Sequence, residues 1–249
     1  MKVLGLIPTR IGSTRLPSKP LLEINRIPLI IHTYRRAILS KSLDDLYICC
    51  DDIKIAKIAK KFGAKYIMTS KNHQNGTERI TEGFLSLKNK IKYDFVLDIQ
   101  GDEPLISPLH IKKIIQFHKK NNNHDIILPT LKVKTAENTN LVKVVVNKKD
   151  EVMYLSRAKI PLEFKLISKY FLKHLSIISF KPQSLVKFSE NKKTYLEKIE
   201  DIELLRALEI GLKIKTIRLT GDSFSIDVHQ DYLDAIKKFK TDKFFKLYK

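Results

Sequence analysis

The sequence predicts an α/β protein with a central, mostly parallel mixed sheet and helices on both faces. Two observations carry that expectation. Through the first half of the chain, continuous apolar runs of strand length alternate with segments of helical periodicity, the pattern of buried strands joined by crossover helices. Polar, charge-bearing loops follow those runs directly, at the strand ends where open α/β sheets bind ligands.

Val3–Pro8 is the first strand-length run. Pro28–Ser40 reads as a helix with Ile30, Ile31, Tyr34 and Ile38 on one face. Leu46–Cys50 is a second strand, and Asp52 or a neighbour is placed to cap a helix over Ile53–Phe62, which Gly63 ends. Tyr66–Met68 and Phe95–Ile99 are further strands, with helices over Thr77–Leu87 and Pro108–Lys120. After Asn121 the pattern changes. Asp125–Val133, Val142–Asn147 and Val152–Ser156 are strand-like without intervening helices, and residues 147–150 form a hairpin turn. His174–Phe180 is a strand, Glu203–Leu212 a helix ending near Gly211, Ile214–Leu219 a strand and Gln230–Phe239 a closing helix. There is no repeat or linker, so a single domain over 1–249 is expected, with a strand-rich subregion at about 130–200.

The formal net charge is +20, but 38 of the 47 basic residues are Lys and they are spread along the chain. Solvated faces explain this better than nucleic-acid binding, which concentrates charge in a stripe and adds base-reading Arg or exposed aromatics. The charge can still attract anionic substrates. No apolar run reaches the roughly 20 residues that cross a bilayer, and the run at Val3 lacks the features of a signal peptide, so a cytoplasmic protein without a membrane or nucleic-acid partner is expected. Cys49 and Cys50 are adjacent in a strand, point to opposite faces and read as structural.

Four segments carry chemistry. The loop after the first strand holds Arg10, Ser13, Arg15 and Lys19 among prolines, cations able to hold a triphosphate and stabilise a departing pyrophosphate. It is not a P-loop, and a basic surface turn would look similar. Gln100-Gly101-Asp102-Glu103-Pro104 ends a buried strand; Gly101 allows close backbone approach or an unusual φ, and Asp102 is placed to bind magnesium, though an Asp-rich turn is the plainer alternative. Asp227 follows a short apolar segment, where it would either ligate or cap the last helix, a task Asp231 could take instead. Spacing does not show that Asp102 and Asp227 meet. His73–Arg79 enters a helix whose N-terminus offers free N–H groups to a ligand, but a capping box would use the same Thr and Glu.

Taken in order, these segments resemble the cytidylyltransferases that make CMP-Kdo, where Kdo is 3-deoxy-manno-octulosonate. The counterparts run from Pro8 to Asp227 and include Gln100-Gly101-Asp102-Glu103-Pro104, Gly76-Thr77-Glu78-Arg79 and Ser156-Arg157-Ala158-Lys159-Ile160-Pro161. The resemblance implies a nucleotide-diphospho-sugar transferase (Rossmann-like) fold with a small antiparallel dimerisation arm. It implies transfer of CMP from CTP to the anomeric hydroxyl of an acidic 3-deoxy sugar, for lipopolysaccharide biosynthesis, by a magnesium-dependent homodimer. Arg10, Ser13, Arg15 and Lys19 match the loop for the CTP phosphates, and Pro8, Asp52, Gly76, Thr77, Arg79 and Gln100 match positions near the nucleotide. Asp102 and Asp227 match the magnesium ligands and, with Lys19, Arg10 and Arg15, the catalytic set. Arg157 and His174 match the acid-sugar site, and Glu197 and Glu200 a late segment where a carboxylate accepts sugar hydroxyls.

The chain also departs from that pattern. Thr9 replaces Ala and Ser18 replaces Gly near the nucleotide loop. On the sugar side Ser176 replaces Gly, Ile178 replaces Tyr, Leu204 replaces Gln, and Pro161–Phe164 replaces a Trp-containing turn. Losing a phenol and an amide removes hydrogen-bonding groups, so the sugar could be Kdo, an amino-Kdo or another 3-deoxy-ulosonate.

Overall fold

A computed structural model describes residues 1–13 and 15–249; Thr14, in the first polar loop, lies outside the described residues. The chain forms two compact units, one of Met1–Lys113 with Ser223–Lys249 and one of Ile114–Asp222.

The first unit opens with β1 (Val3–Thr9), buried along its whole length, followed by the short hairpin β2 (Glu23–Ile24) and β3 (Ile27–Pro28). Helix α1 (Leu29–Leu39), β4 (Asp45–Cys50), α2 (Ile53–Lys61), β5 (Tyr66–Met68), α3 (Gly76–Ser86) and β6 (Phe95–Ile99) follow. The strands stand in the order β5-β4-β1-β6 and every pair is parallel. Val3, Leu4, Leu6, Ile7, Ile48, Phe95, Val96 and Leu97 are fully buried, as expected of strands that read as unbroken apolar runs. Helix α2 is capped by the Asp52 side chain, which accepts from Lys54 N at 2.7 Å, and it ends before Gly63, whose φ of 70° only glycine adopts freely. In α1, Ile30, Ile31 and Tyr34 are buried as expected, but Ile38 is exposed and Ala37 continues the buried stripe.

Helix α4 (Pro108–Lys120) leads into the second unit. Its strands are β7 (Ile126–Val133), β8 (Lys143–Val146), β9 (Val152–Ser156), β10 (Phe171–His174) and β11 (Ile177–Phe180), then, after helices α5 (Pro182–Glu190), α6 (Tyr195–Glu200) and α7 (Glu203–Glu209), β12 (Ile214–Leu219). β7 takes β12 as a parallel partner and β10 and β11 as antiparallel ones, and β8 joins β10 to β9. The turn between β8 and β9 forms as expected: Asn147 accepts from Asp150 N at 3.1 Å, and Asp150 has φ 59°. Gly211, with φ 78°, follows α7 as expected.

The strand expected over His174–Phe180 is two strands. Between the pairs His174↔Thr130 and Ser179↔Ile127, five residue steps face three on β7, so two extra residues interrupt the ladder at Leu175 and Ser176. Leu175 N bonds to Pro129 O at 2.9 Å inside this interruption. Helices α5 and α6 have no counterpart in the sequence reading; both are short, and short helices owe their stability to packing more than to pattern. The last α-helix, α8 (His229–Thr241), lies in the first unit, where Ala235 and Phe239 pack with Leu16, Ile24, Leu29 and Ile226. Both cysteines are buried free thiols, and burial pushes the Cys50 thiol up to about 11. Among the described residues, no helix is long and apolar enough to cross a membrane.

In each unit a buried histidine with both ring nitrogens engaged is built in neutral. In the first, His32 Nε2 donates to Ile24 O at 2.9 Å, so its Nδ1 accepts from the Tyr248 hydroxyl at 3.0 Å. In the second, His118 Nε2 donates to His124 O at 3.2 Å and Nδ1 accepts from Ser179 Oγ at 2.7 Å. Burial lowers each from 6.5 to about 4. Between those values the unfolded chain binds protons that the folded chain refuses, so stability must fall as pH drops below 6.5. Urea midpoints should therefore decline between about pH 6.5 and about pH 5, above the range where ordinary carboxylates protonate. A flat profile across that window would contradict the neutral-histidine assignment.

Candidate active site

Two carboxylates far apart in the chain meet at one lysine in the first unit. Lys19 Nζ donates to Asp102 Oδ2 at 2.9 Å and to Ile226 O at 2.7 Å, and it stands 3.6 Å from Asp227 Oδ1. Arg15 Nη2 donates to the same Asp227 oxygen at 3.2 Å. The lysine is presented by a turn that begins at Ser18, in left-handed backbone with φ 53°. That conformation explains a glycine at this position and makes Ser18 a mildly strained substitute.

Each carboxylate is delivered by a backbone device. Asp102 follows β6 across Gly101, where a Cβ would lie 2.8 Å from Pro8 O and 3.0 Å from Ile30 Cδ1. Gly101 thus serves close approach, one of its two expected uses. Asp102 O accepts from Ile226 N at 3.0 Å, joining this turn to the segment before α8. Ile226 is fully buried and so anchors its neighbour Asp227. The open question of the α8 cap is answered by Asp231, whose Oδ2 accepts from Asp227 N and Val228 N, both at 2.9 Å. The Asp227 carboxylate is left to Lys19 and Arg15.

Beside these groups, Pro8, Gly76 and Gln100 come together. A Cβ on Gly76 would stand 3.1 Å from Gln100 Nε2 and 3.3 Å from Pro8 Cγ. Gln100 Nε2 donates to both oxygens of buried Asp98, at 3.1 and 2.9 Å, which turns its amide oxygen away from that carboxylate. Helix α3 begins at Gly76 and is capped by Asn75, which accepts from Glu78 N at 2.8 Å; the cap is not Thr77, which is buried. Ser13 Oγ accepts from Leu16 N at 3.3 Å, and Arg10 is exposed.

Two matched residues have internal partners. Asp52 caps α2, as above. Arg79 is buried, pairs with Asp51 at 3.3 Å and donates to Thr69 Oγ1 and Ser70 O at 2.7 and 3.0 Å. Asp51, which sequence reasoning missed, completes the link by accepting from Ile11 N at 3.0 Å, so Arg79 steadies the first loop from beneath. The available signal was the carboxylate just past a buried strand.

The second unit holds the residues matched to the sugar. Arg157 is half-buried and donates to Glu200 O at 2.8 Å, Asp201 O at 3.1 Å and Thr139 O at 3.3 Å. His174 Nδ1 donates to Leu175 O at 3.0 Å, and burial lowers its pKa, leaving a neutral ring with Nε2 as an acceptor. Glu200 accepts from Ser156 Oγ at 2.5 Å and Arg157 N at 2.9 Å. Glu197 is buried and gripped through both oxygens by Arg206, from Nε at 2.7 Å and Nη2 at 2.6 Å, with the guanidinium over the Phe188 ring at 4.3 Å. Such a bidentate pair uses the carboxylate sites that a sugar hydroxyl would need. Arg206 was also missed as a functional group. Ile178 and Leu204 are buried apolar side chains.

Among the described residues, no three His, Cys, Asp or Glu side chains gather as a metal cluster. A divalent cation would receive two protein carboxylates, Asp102 and Asp227, which suits magnesium because it commonly takes one or two carboxylates plus phosphate oxygens and water. That both already surround a cation, the Lys19 ammonium, makes this pair a fitting donor set.

A family model described as cytidylyltransferase matches residues 4–214. The 3-deoxy-manno-octulosonate cytidylyltransferase of Fusobacterium nucleatum subsp. nucleatum is 40% identical, covering 96% of this chain and 98% of its own. The 8-amino-3,8-dideoxy-manno-octulosonate cytidylyltransferase of Shewanella pealeana is 36% identical over 93% of this chain and 96% of its own. A solved structure of CMP:2-keto-3-deoxy-manno-octonic acid synthetase complexed with CTP superposes with a TM-score of 0.91 at 28% identity, covering 96% of this chain and 99% of that one.

The Glu197–Arg206 pair yields a direct expectation. Glu197→Ala leaves a buried guanidinium without its anion and should lower stability by about 3–5 kcal/mol, read from the urea midpoint. A midpoint near wild type would mean that Glu197 is free for another task.

Proposed function

The chain belongs to the cytidylyltransferase family, and from that premise we propose that it transfers CMP from CTP to the anomeric hydroxyl of 3-deoxy-D-manno-octulosonate. The observation that carries this reading is the meeting of Asp102, Asp227 and Arg15 around Lys19 in the first unit.

In the reaction, the sugar's anomeric oxygen forms a bond to the α-phosphorus, the bond from that phosphorus to the bridging oxygen of the β-phosphate breaks, and pyrophosphate leaves with the electron pair. The hydroxyl proton passes to solvent. Arg10, Arg15 and Lys19 are the groups proposed to hold the phosphates and offset charge on the leaving pyrophosphate. Lys19 would exchange its hold on the aspartates for phosphate oxygens. Asp102 and Asp227 would hold magnesium, which when bound neutralises phosphate charge and makes an attacking hydroxyl more acidic. Pro8, Gly76 and Gln100 would frame the nucleotide, with Thr77 and Ser13 beside them, while Asp52 and Arg79 support the surrounding loops. In the second unit Arg157 would meet the sugar carboxylate, and neutral His174 would accept from a sugar hydroxyl through Nε2. A homodimer formed through the second unit belongs to the same proposal; exposed Leu162, Phe164, Leu166 and Ile167 support it.

A second reading, transfer to 8-amino-3,8-dideoxy-manno-octulosonate, has its own support. A relative of that name is 36% identical, and Ile178 and Leu204 offer no polar group to a sugar hydroxyl. Pyrophosphate release with CTP, magnesium and a panel of ulosonates separates the two. Turnover with 3-deoxy-manno-octulosonate at least about tenfold above the amino sugar, a preference worth about 1.4 kcal/mol, supports the first. The reverse order establishes the second, and no release with any ulosonate sinks both.

Lys19→Ala and Asp102→Asn should each lower kcat by about 10²–10³-fold. Neither should change the unfolding free energy, read from the urea midpoint, by more than about 1 kcal/mol, because these pairs are partly solvated. Near-normal turnover in either variant would remove that residue from the mechanism.

A further inference from the structure

Lys143, in β8, is fully buried, yet neither the mechanism nor the sequence motifs use it. Its Nζ donates to three backbone carbonyls, Asn138 O at 3.1 Å, Leu141 O at 2.8 Å and Arg157 O. Carbonyls only accept, and a neutral amine has two hydrogens, so serving three carbonyls requires the ammonium form. Arg157 is built the same way, its guanidinium donating to the carbonyls of Thr139, Glu200 and Asp201. Neither cation forms an ion pair among the described residues. Of the nearby acids, Glu200 is occupied by Ser156 Oγ and Arg157 N, and Glu137 pairs with Lys159 at 2.8 Å.

A buried ammonium held by dipoles alone is costly, and a protein normally supplies a counter-ion. Here the carbonyl cradle solvates two cations without cancelling their charge. Burial, then the like charge of Arg157, depress Lys143; Glu200 and Glu137 offset this only in part, and an arriving anion would relieve the repulsion from Arg157. Arg157 is half-buried and reachable, whereas Lys143 is sealed. The backbone of Arg157 is also clamped on both sides, at N by Glu200 and at O by Lys143.

We infer that Lys143 is a specificity-determining positioning residue of the acid-sugar site, a second, sealed cation that acts through Arg157 to make this site select a ligand bearing a carboxylate. The inference rests on the acid-sugar reading above and applies equally to the amino sugar, because both carry the carboxylate.

The test compares equilibrium binding of 3-deoxy-manno-octulosonate and its methyl ester to the full chain, for wild type, Lys143→Met and Lys143→Arg, with CTP binding measured in parallel. Wild type should prefer the acid. Lys143→Met should lose roughly tenfold of that preference at unchanged CTP affinity, and Lys143→Arg should retain it. If acid and ester weaken equally in Lys143→Met, the residue merely braces the loop and the inference falls. Should Lys143→Met fail to fold, wild type decides. A preference set by a sealed cation persists between about 0.05 M and about 0.5 M salt, whereas one set by exposed lysines collapses and overturns the inference. A wild type that binds CTP but neither sugar overturns the substrate reading, and this inference with it.

Discussion

The loops past β1 and β6 in the first unit depend on one ammonium. Lys19 draws Asp102, Ile226 O and Asp227 toward a single point from three separate stretches of chain. Other local features serve that convergence. Ser18 adopts left-handed backbone to aim the lysine, Gly101 lets the turn after β6 press against β1, and Asp231 takes over the helix cap so that Asp227 can face inward. Two like charges so placed repel unless a cation lies between them. The arrangement is therefore suited to exchange, since a ligand that competes for the lysine releases the pair of carboxylates to another cation.

The second unit solves the opposite problem. It holds two cations without a direct ion pair among the described residues, the matched Arg157 and its neighbour Lys143, each solvated by carbonyl oxygens. Acidic side chains are present but committed elsewhere, Glu197 to Arg206 and Glu200 to Ser156 and the Arg157 amide. Cations left without direct ion pairs and solvated by dipoles alone are held at the expense of stability.

Much of the first unit is legible in the sequence because its strands are buried on both faces. β1, β4 and β6 read as continuous apolar runs, and Gly63 marks a helix end, as Gly211 does in the second unit, through backbone only glycine takes easily. The break between β10 and β11 is not legible, because two extra residues in a ladder leave the run apolar on either side. Site chemistry divides along a similar line. Clustering of cations in the first loop is local and visible. Whether a carboxylate faces a ligand or a buried guanidinium depends on a distant partner, so Glu197 and Asp227 look alike as letters. The former is locked to Arg206, and the latter is shared by an exposed Arg15 and Lys19. Asp51 was invisible for the same reason, its partners being Arg79 and the Ile11 amide.

The most direct test replaces magnesium with manganese and locates it by anomalous scattering in crystals grown with CTP. A peak is expected within roughly 2.0–2.3 Å of a carboxylate oxygen of Asp102 and of Asp227 together, alongside phosphate oxygens. A cation held by phosphates alone, or by only one of the two aspartates, would contradict it.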